Sequence, residues 1–158
     1  MTSRAWLLAI AVACLAAVGG ALVGQHVYDM QPCPWCVLQR LIFVVIALVA
    51  IVGAIFGSYL ARTVAATLAV LLALAGGAAA VWQHAVAAKS ASCNLTLADK
   101  VLSAVGLNRA LPDVFEPRAS CADAAVNLLG VPFEYWSLAL FVLLVIASIL
   151  SMRAQHPR

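Results

Sequence analysis

Cys33-Pro34-Trp35-Cys36-Val37-Leu38-Gln39-Arg40 leads straight into sixteen apolar residues, from Leu41 to Phe56. An uncharged run of this kind matches a bilayer core, which takes about 20 apolar residues as a helix. The stretch therefore reads as a membrane-spanning helix whose mouth carries a cysteine pair, with a cation one turn below it. Three more runs have the same character, and the four spans fall at about 5–24, 37–57, 63–82 and 136–152. Arg40 is the one charge inside any of them. Hydrophobic residues make up 66% of the 158 and charged residues 9%, with a mean hydropathy of +1.07. A soluble domain would carry about a quarter charged residues. The chain is expected to be all-α, an integral membrane four-helix bundle forming one domain over 1–158, with a short outer loop at 25–36 and a long one at 83–135.

The first run is longer than a signal-peptide core, so its helix is expected to stay. Placing both termini inside crowds Arg4, Arg62, Arg153 and Arg158 into short cytoplasmic segments without acids. Lys89, Lys100, Arg109 and Arg118 are instead spread over the outer loops, together with all six acidic residues. The positive-inside rule is then met by density, and Trp6, Trp82 and Trp136 lie at span ends, where interfacial tryptophans belong. This topology accounts for the net charge of +3. No basic groove interleaved with aromatics marks a nucleic-acid partner.

Four of the five cysteines fall on the outer side, and Cys14, mid-span, reads as a small core hydrophobe. Disulfides persist in oxidising compartments, which for a bacterium means the periplasm. A zinc site would want two Cys-X-X-Cys knuckles or matched histidines, and Cys93 and Cys121 are too far apart to form a second knuckle. No metal is expected. The redox reading of Cys33 and Cys36 has a local mechanism. Cys36 lies at a helix N-terminus, where free N–H groups and the dipole favour an anion, and Arg40 shares its helix face four residues on. Both favour the nucleophilic thiolate. A static staple with a snorkelling arginine is the plainer alternative. Linking Cys93 to Cys121 would contribute about 3–4 kcal/mol as a structural bridge, and spacing alone leaves bridge and exchange equally open. Between them, Thr96-Leu97-Ala98-Asp99 is a capping box opening a short helix that ends near Gly106. Its Ala98, Val101, Leu102 and Val105 are spaced to lie on the bilayer surface.

With these residues in place, the chain resembles the DsbB family of disulfide bond formation proteins. The resemblance rests on four spans, on Cys33-X-X-Cys36-X-X-X-Arg40 opening the second, on two spaced cysteines in the long loop, and on Gly130-Val131-Pro132 leading into Trp136. Proline and tryptophan inside the Cys-X-X-Cys are a minor departure. The resemblance implies an enzyme of the bacterial inner membrane, a protein-disulfide:quinone oxidoreductase that reoxidises a DsbA-like periplasmic thiol oxidase of thioredoxin fold. It implies that Cys93 takes the partner's thiolate, that Cys121 passes electrons to Cys33, and that Cys36 faces a membrane quinone, ubiquinone or menaquinone. It assigns Arg40 to the quinone head group and His84 to its ring, although an interfacial histidine beside Trp82 explains His84 equally well. A rival reading is a structural tetraspan scaffold with two loop staples, in which Cys36 is inert and lysine can replace Arg40. A transporter would carry ionisable residues deep in its spans, and this chain has none there.

Overall fold

The computed structural model describes residues 2–89 and 96–155. Four long helices dominate it: α1 (Ser3–Val27), α2 (Pro34–Phe56), α3 (Tyr59–Ala85) and, at the end of the chain, α7 (Phe133–Arg153). All four are long and apolar enough to cross a membrane, so the chain is a multi-pass membrane protein. Each runs a few residues beyond the apolar stretch that announces it, because the capping residues are polar and a hydropathy window stops at them. Thr2 accepts from the Ala5 N–H to start α1, Cys33 caps α2 with Pro34 in its first turn, and Ser58 accepts from the Ala61 N–H to start α3. Proline suits a first turn, where its missing N–H costs nothing. Only Gly57 and Ser58 join α2 to α3, so the two must run antiparallel as neighbours.

The four helices form a closed ring in the order α1, α2, α3, α7, with α1 and α3 nearly out of contact across the diagonal. Lipid is as apolar as leucine, so the helices associate by close packing of small residues and by polar contacts between them. The buried face of α3 is Ala65, Ala66, Ala69, Ala73, Gly76, Ala79 and Ala80. A Cβ at Gly76 would lie 2.3 Å from the Phe141 ring, and one at Gly53 would lie 2.4 Å from the Ala65 Cβ. Phe141 in turn stacks flat on Phe43 of α2, with centroids 4.2 Å apart. Large side chains such as Val12, Val52, Leu71 and Leu143 point outward, as a lipid-facing surface requires. At the end carrying both termini, Ser151 donates to the Ser3 carbonyl at 3.3 Å and ties α7 to α1.

The long loop folds onto the opposite end. The capping box forms as its sequence predicts: Thr96 and Asp99 bond reciprocally, and α4 (Leu97–Val105) ends at Gly106, with φ of 73°. Two short helices follow, α5 (Leu107–Ala110) and α6 (Pro112–Phe115), then a two-stranded hairpin of β1 (Asn127–Leu128) and β2 (Val131–Pro132) that feeds α7. The apolar face of α4 does not lie free on the bilayer. Ala98 and Leu102 are buried, Leu102 against Val37 of α2 and Phe115 of α6, while Val105 is exposed. The mouth of α2 offers an apolar surface that the helix covers in preference to lipid.

Gly76→Val places two methyl groups where Phe141 already sits. Overpacking of this kind costs about 1–3 kcal/mol, and we expect a lowered thermal unfolding midpoint in detergent, measured with all cysteines reduced. Gly77→Ala, whose Cβ meets nothing closer than 3.6 Å, should stay near wild type.

Candidate functional site

Cys33 is both the N-cap of α2 and the hub of a sulfur cluster. Its Sγ accepts from the Cys36 N–H at 3.3 Å, which brings the two sulfurs, both free thiols, to 2.7 Å. The third sulfur arrives from the long loop: Cys121 hydrogen-bonds Cys33 and packs with it, Trp35 and Ala98 in one buried group. That approach is fixed by backbone. The Arg118 and Ala119 N–H groups both donate to the Pro32 carbonyl, at 2.9 and 3.3 Å, clamping the long loop to the short one beside the cysteines. Cys33 is wholly buried and Cys121 nearly so.

The sulfurs share protons unequally. Hydrogen bonds with Cys121 and then Cys36, with burial added, push the Cys33 thiol well up. The hydrogen bond with Cys33 pulls the Cys121 thiol down, helped by the Trp35 N–H and opposed by burial and by Asp99 and Glu134. Cys33 is thus the proton holder and Cys121 the readier nucleophile of the pair.

Below the sulfurs lies a polar layer. Arg40 is 5% exposed; one guanidinium nitrogen donates to Gln25 Oε1 of α1 at 3.0 Å and to the Val114 carbonyl of α6 at 2.5 Å. Gln25 also donates to the Asp113 carbonyl. The Arg40 Nε has no hydrogen-bond partner among the described residues. Opposite, Gln39 donates to Gln83 Oε1 at 2.7 Å, and Gln83 Nε2 donates to Cys36 Sγ at 3.3 Å and to Glu134 Oε1 at 3.5 Å. Cys36, Arg40, Gln39, Gln83 and Glu134 all line one cavity of about 720 Å³, within the usual range for small-molecule sites. Its far wall is the small-residue face of α1, with Ala17, Gly20, Ala21 and Gly24. The arrangement joins a sulfur cluster able to exchange disulfides to a chamber with polar groups at one end and apolar walls.

The structure thus brings together Cys33, Cys36 and Cys121, and sets Arg40 on the cavity that Cys36 lines. Cys93 lies outside the described residues. His84 is half-buried and packs its ring on Tyr135, centroids 4.8 Å apart, whereas its neighbour Gln83 is the α3 residue on the cavity wall. Gln25, Gln39, Gln83 and Glu134 were not singled out by sequence. Gln39, beside Arg40 at the start of the apolar run, is 4% exposed and bonded. Their shared signal is weak: each is a polar residue at the end of an apolar run, which snorkelling explains as readily as a site.

Comparison with known proteins agrees on one family. The family model described as "Disulfide bond formation protein DsbB" matches residues 3–151. A Pseudomonas fluorescens "Disulfide bond formation protein B 1" is 37% identical over 146 residues, covering 90% of this chain and 85% of its own. The Pseudomonas aeruginosa protein of that name is 36% identical over 135 residues, 83% of each. The "Disulfide bond formation protein B" of Herminiimonas arsenicoxydans is 33% identical over 145 residues, 91% of each.

A lowered thiol becomes thiolate, and so reactive, at lower pH than a free cysteine. In the fully reduced protein we expect alkylation of Cys121 to switch on below the range of an ordinary thiol. In Cys33→Ala, which removes the main cause, it should move to higher pH. Site-resolved mass spectrometry of iodoacetamide labelling across pH reads both.

Proposed function

The chain belongs to the DsbB family of disulfide bond formation proteins, and on that premise we propose that it is a protein-disulfide:quinone oxidoreductase of a bacterial inner membrane. Both termini lie in the cytoplasm and the sulfur cluster faces the periplasm. Its donor is the reduced dithiol of a thioredoxin-fold oxidase, DsbA-like in kind. The observation that carries the reading is that Cys33 touches both Cys121 and Cys36, with Cys36 on a cavity that Arg40 also lines.

Each exchange step is one thiolate displacing another from a disulfide. The donor thiolate attacks Cys93, breaking the Cys93–Cys121 bond and freeing the Cys121 thiolate. Cys121 attacks Cys33, breaking Cys33–Cys36 and freeing the Cys36 thiolate. The donor's second thiol then resolves the mixed disulfide, leaving as a disulfide and releasing Cys93. Cys93 attacks Cys121, and Cys33 is released as a thiol beside Cys36. A lowered thiol at Cys121 suits the first step, in which it leaves Cys93 as a thiolate.

The residues present fit a quinone, ubiquinone or menaquinone. Arg40 is a buried cation on the cavity wall with its Nε unpartnered among the described residues, and the small residues of α1 leave room for an apolar tail. Quinone, when bound, supplies the two-electron acceptor for the Cys33–Cys36 dithiol. Arg40 would hold its oxygen with a fixed positive charge, a preorganised electrostatic role. Gln83 holds the Cys36 sulfur at the cavity wall. His84 would act on α7 through Tyr135 and leave the ring to Arg40 and Gln83.

Two variants test this with reduced thioredoxin-fold dithiol and a soluble quinone, following the quinone's ultraviolet absorbance. Cys36→Ser should bring turnover to background. Arg40→Lys should raise KM for quinone about ten- to a hundredfold, the worth of a charge-assisted hydrogen bond at about 1.5–3 kcal/mol. Wild-type behaviour of Arg40→Lys at limiting quinone would remove Arg40 from the site, and turnover by Cys36→Ser would remove the whole scheme.

A further inference from the structure

Glu134 is a buried carboxyl in a chain with few charges. It is 4% exposed, whereas Asp29 and Asp123, the other carboxyls on the cavity, are exposed. Its place in the first turn of α7 suits the helix dipole. A carboxylate serving the dipole alone gains nothing from burial, which penalises its charge. Burial here has a specific geometry. The Gln83 amide, oriented by the Gln39 donor on its oxygen, sends its N–H groups to Cys36 Sγ at 3.3 Å and to Glu134 Oε1 at 3.5 Å. One side chain therefore spans the sulfur and the carboxyl across the cavity wall.

Proton accounting gives that geometry a use. Reducing the Cys33–Cys36 disulfide takes up two electrons and two protons. Cys33, buried and hydrogen-bonded to two sulfurs, keeps one proton. Cys36 receives an N–H from Gln83 at 3.3 Å, a donor suited to a thiolate. The second proton needs a base within the same enclosure. Arg40 and Arg118 line the cavity but stay charged at working pH. The other titratable groups lining it are Tyr28 and the two aspartates, all exposed, and Cys121 lies within electrostatic reach of Glu134.

We propose that Glu134 is the proton-storing carboxyl of the redox site. In the reductive half, a donor dithiol, the Cys33–Cys36 disulfide and the Glu134 carboxylate become a donor disulfide, the Cys33 thiol, the Cys36 thiolate and the Glu134 carboxylic acid. Two protons and one negative charge appear on each side. In the oxidative half, the Cys33 and Glu134 protons leave with the electron pair to the quinone, the Cys33–Cys36 disulfide re-forms and Glu134 returns to carboxylate. The inference rests on the quinone oxidoreductase reading and deepens it by naming where the second proton waits.

The decisive measurement needs no quinone. Infrared difference spectra of the quinone-free, full-length protein in detergent, reduced minus oxidised, should show a protonated-carboxyl C=O band. That band should vanish in Glu134→Gln, which keeps the size and the hydrogen-bond acceptor, and shift in Glu134→Asp, which keeps the acid. Absence of the band in wild type, or its persistence in Glu134→Gln, would overturn the proposal. In turnover, Glu134→Gln should lower kcat about a hundredfold, as for loss of general acid–base help, with KM for quinone within about twofold. An equal change in KM would assign Glu134 a structural role and end the proposal. A wild type that shows the band but reduces neither quinone would overturn the quinone reading while leaving proton storage by Glu134 standing.

Discussion

A guanidinium held 5% exposed at the rim of a membrane bundle needs acceptors from the protein, because burial takes it out of bulk water. Arg40 meets that demand from two directions, the Gln25 side chain of α1 and the Val114 carbonyl of α6. The consequence extends well beyond one hydrogen bond. Gln25 reaches on to the Asp113 carbonyl, so one buried charge gathers the end of α1, the top of α2 and the middle of the long loop. Once that loop is drawn down, Phe115 and Leu102 close over Val37, and α4 is held on protein. The clamp of Arg118 and Ala119 on Pro32 then fixes Cys121 against Cys33.

The two ends of the bundle follow different physics. Towards the termini the helices meet through alanine, glycine and a stacked Phe43–Phe141 pair, the close packing that hydrocarbon surroundings demand. Towards the loops the small residues of α1 remain, but α7 and α3 turn polar residues inward, and the result is a cavity in place of a contact. The same α1 surface that permits close approach in one half leaves room for a ligand in the other. Cys36 stands where the two regimes meet, with the Cys33 sulfur on one side and the cavity on the other.

A cysteine serving as N-cap couples chemistry to folding in an unusual way. Cap residues accept from the N–H groups of the first turn through a side-chain oxygen; here the Cys33 sulfur does so. The helix start that orients Cys36 therefore depends on a sulfur that also meets Cys36 and Cys121. Pro34 in the first turn presets the helical backbone independently of that bond.

Residue order alone determined the class, the four helices and the sulfur motif. Uninterrupted apolar runs are local, and a bilayer enforces helix wherever they occur. The same locality made the capping box at Thr96 and Asp99 legible, since both halves of a box lie within one turn. Cys33, Cys36 and Arg40 were legible too, because four-residue spacing on a helix fixes a shared face. What the order of residues left open was every relation across the bundle. Nothing in that order sets Cys121 beside Cys33, joins Gln39 to Gln83 across 44 positions, or gives Glu134 a partner. Only the tertiary structure decided these, because a side chain's protonation, partners and access to a cavity depend on residues that the ring of helices brings together from four separate parts of the chain.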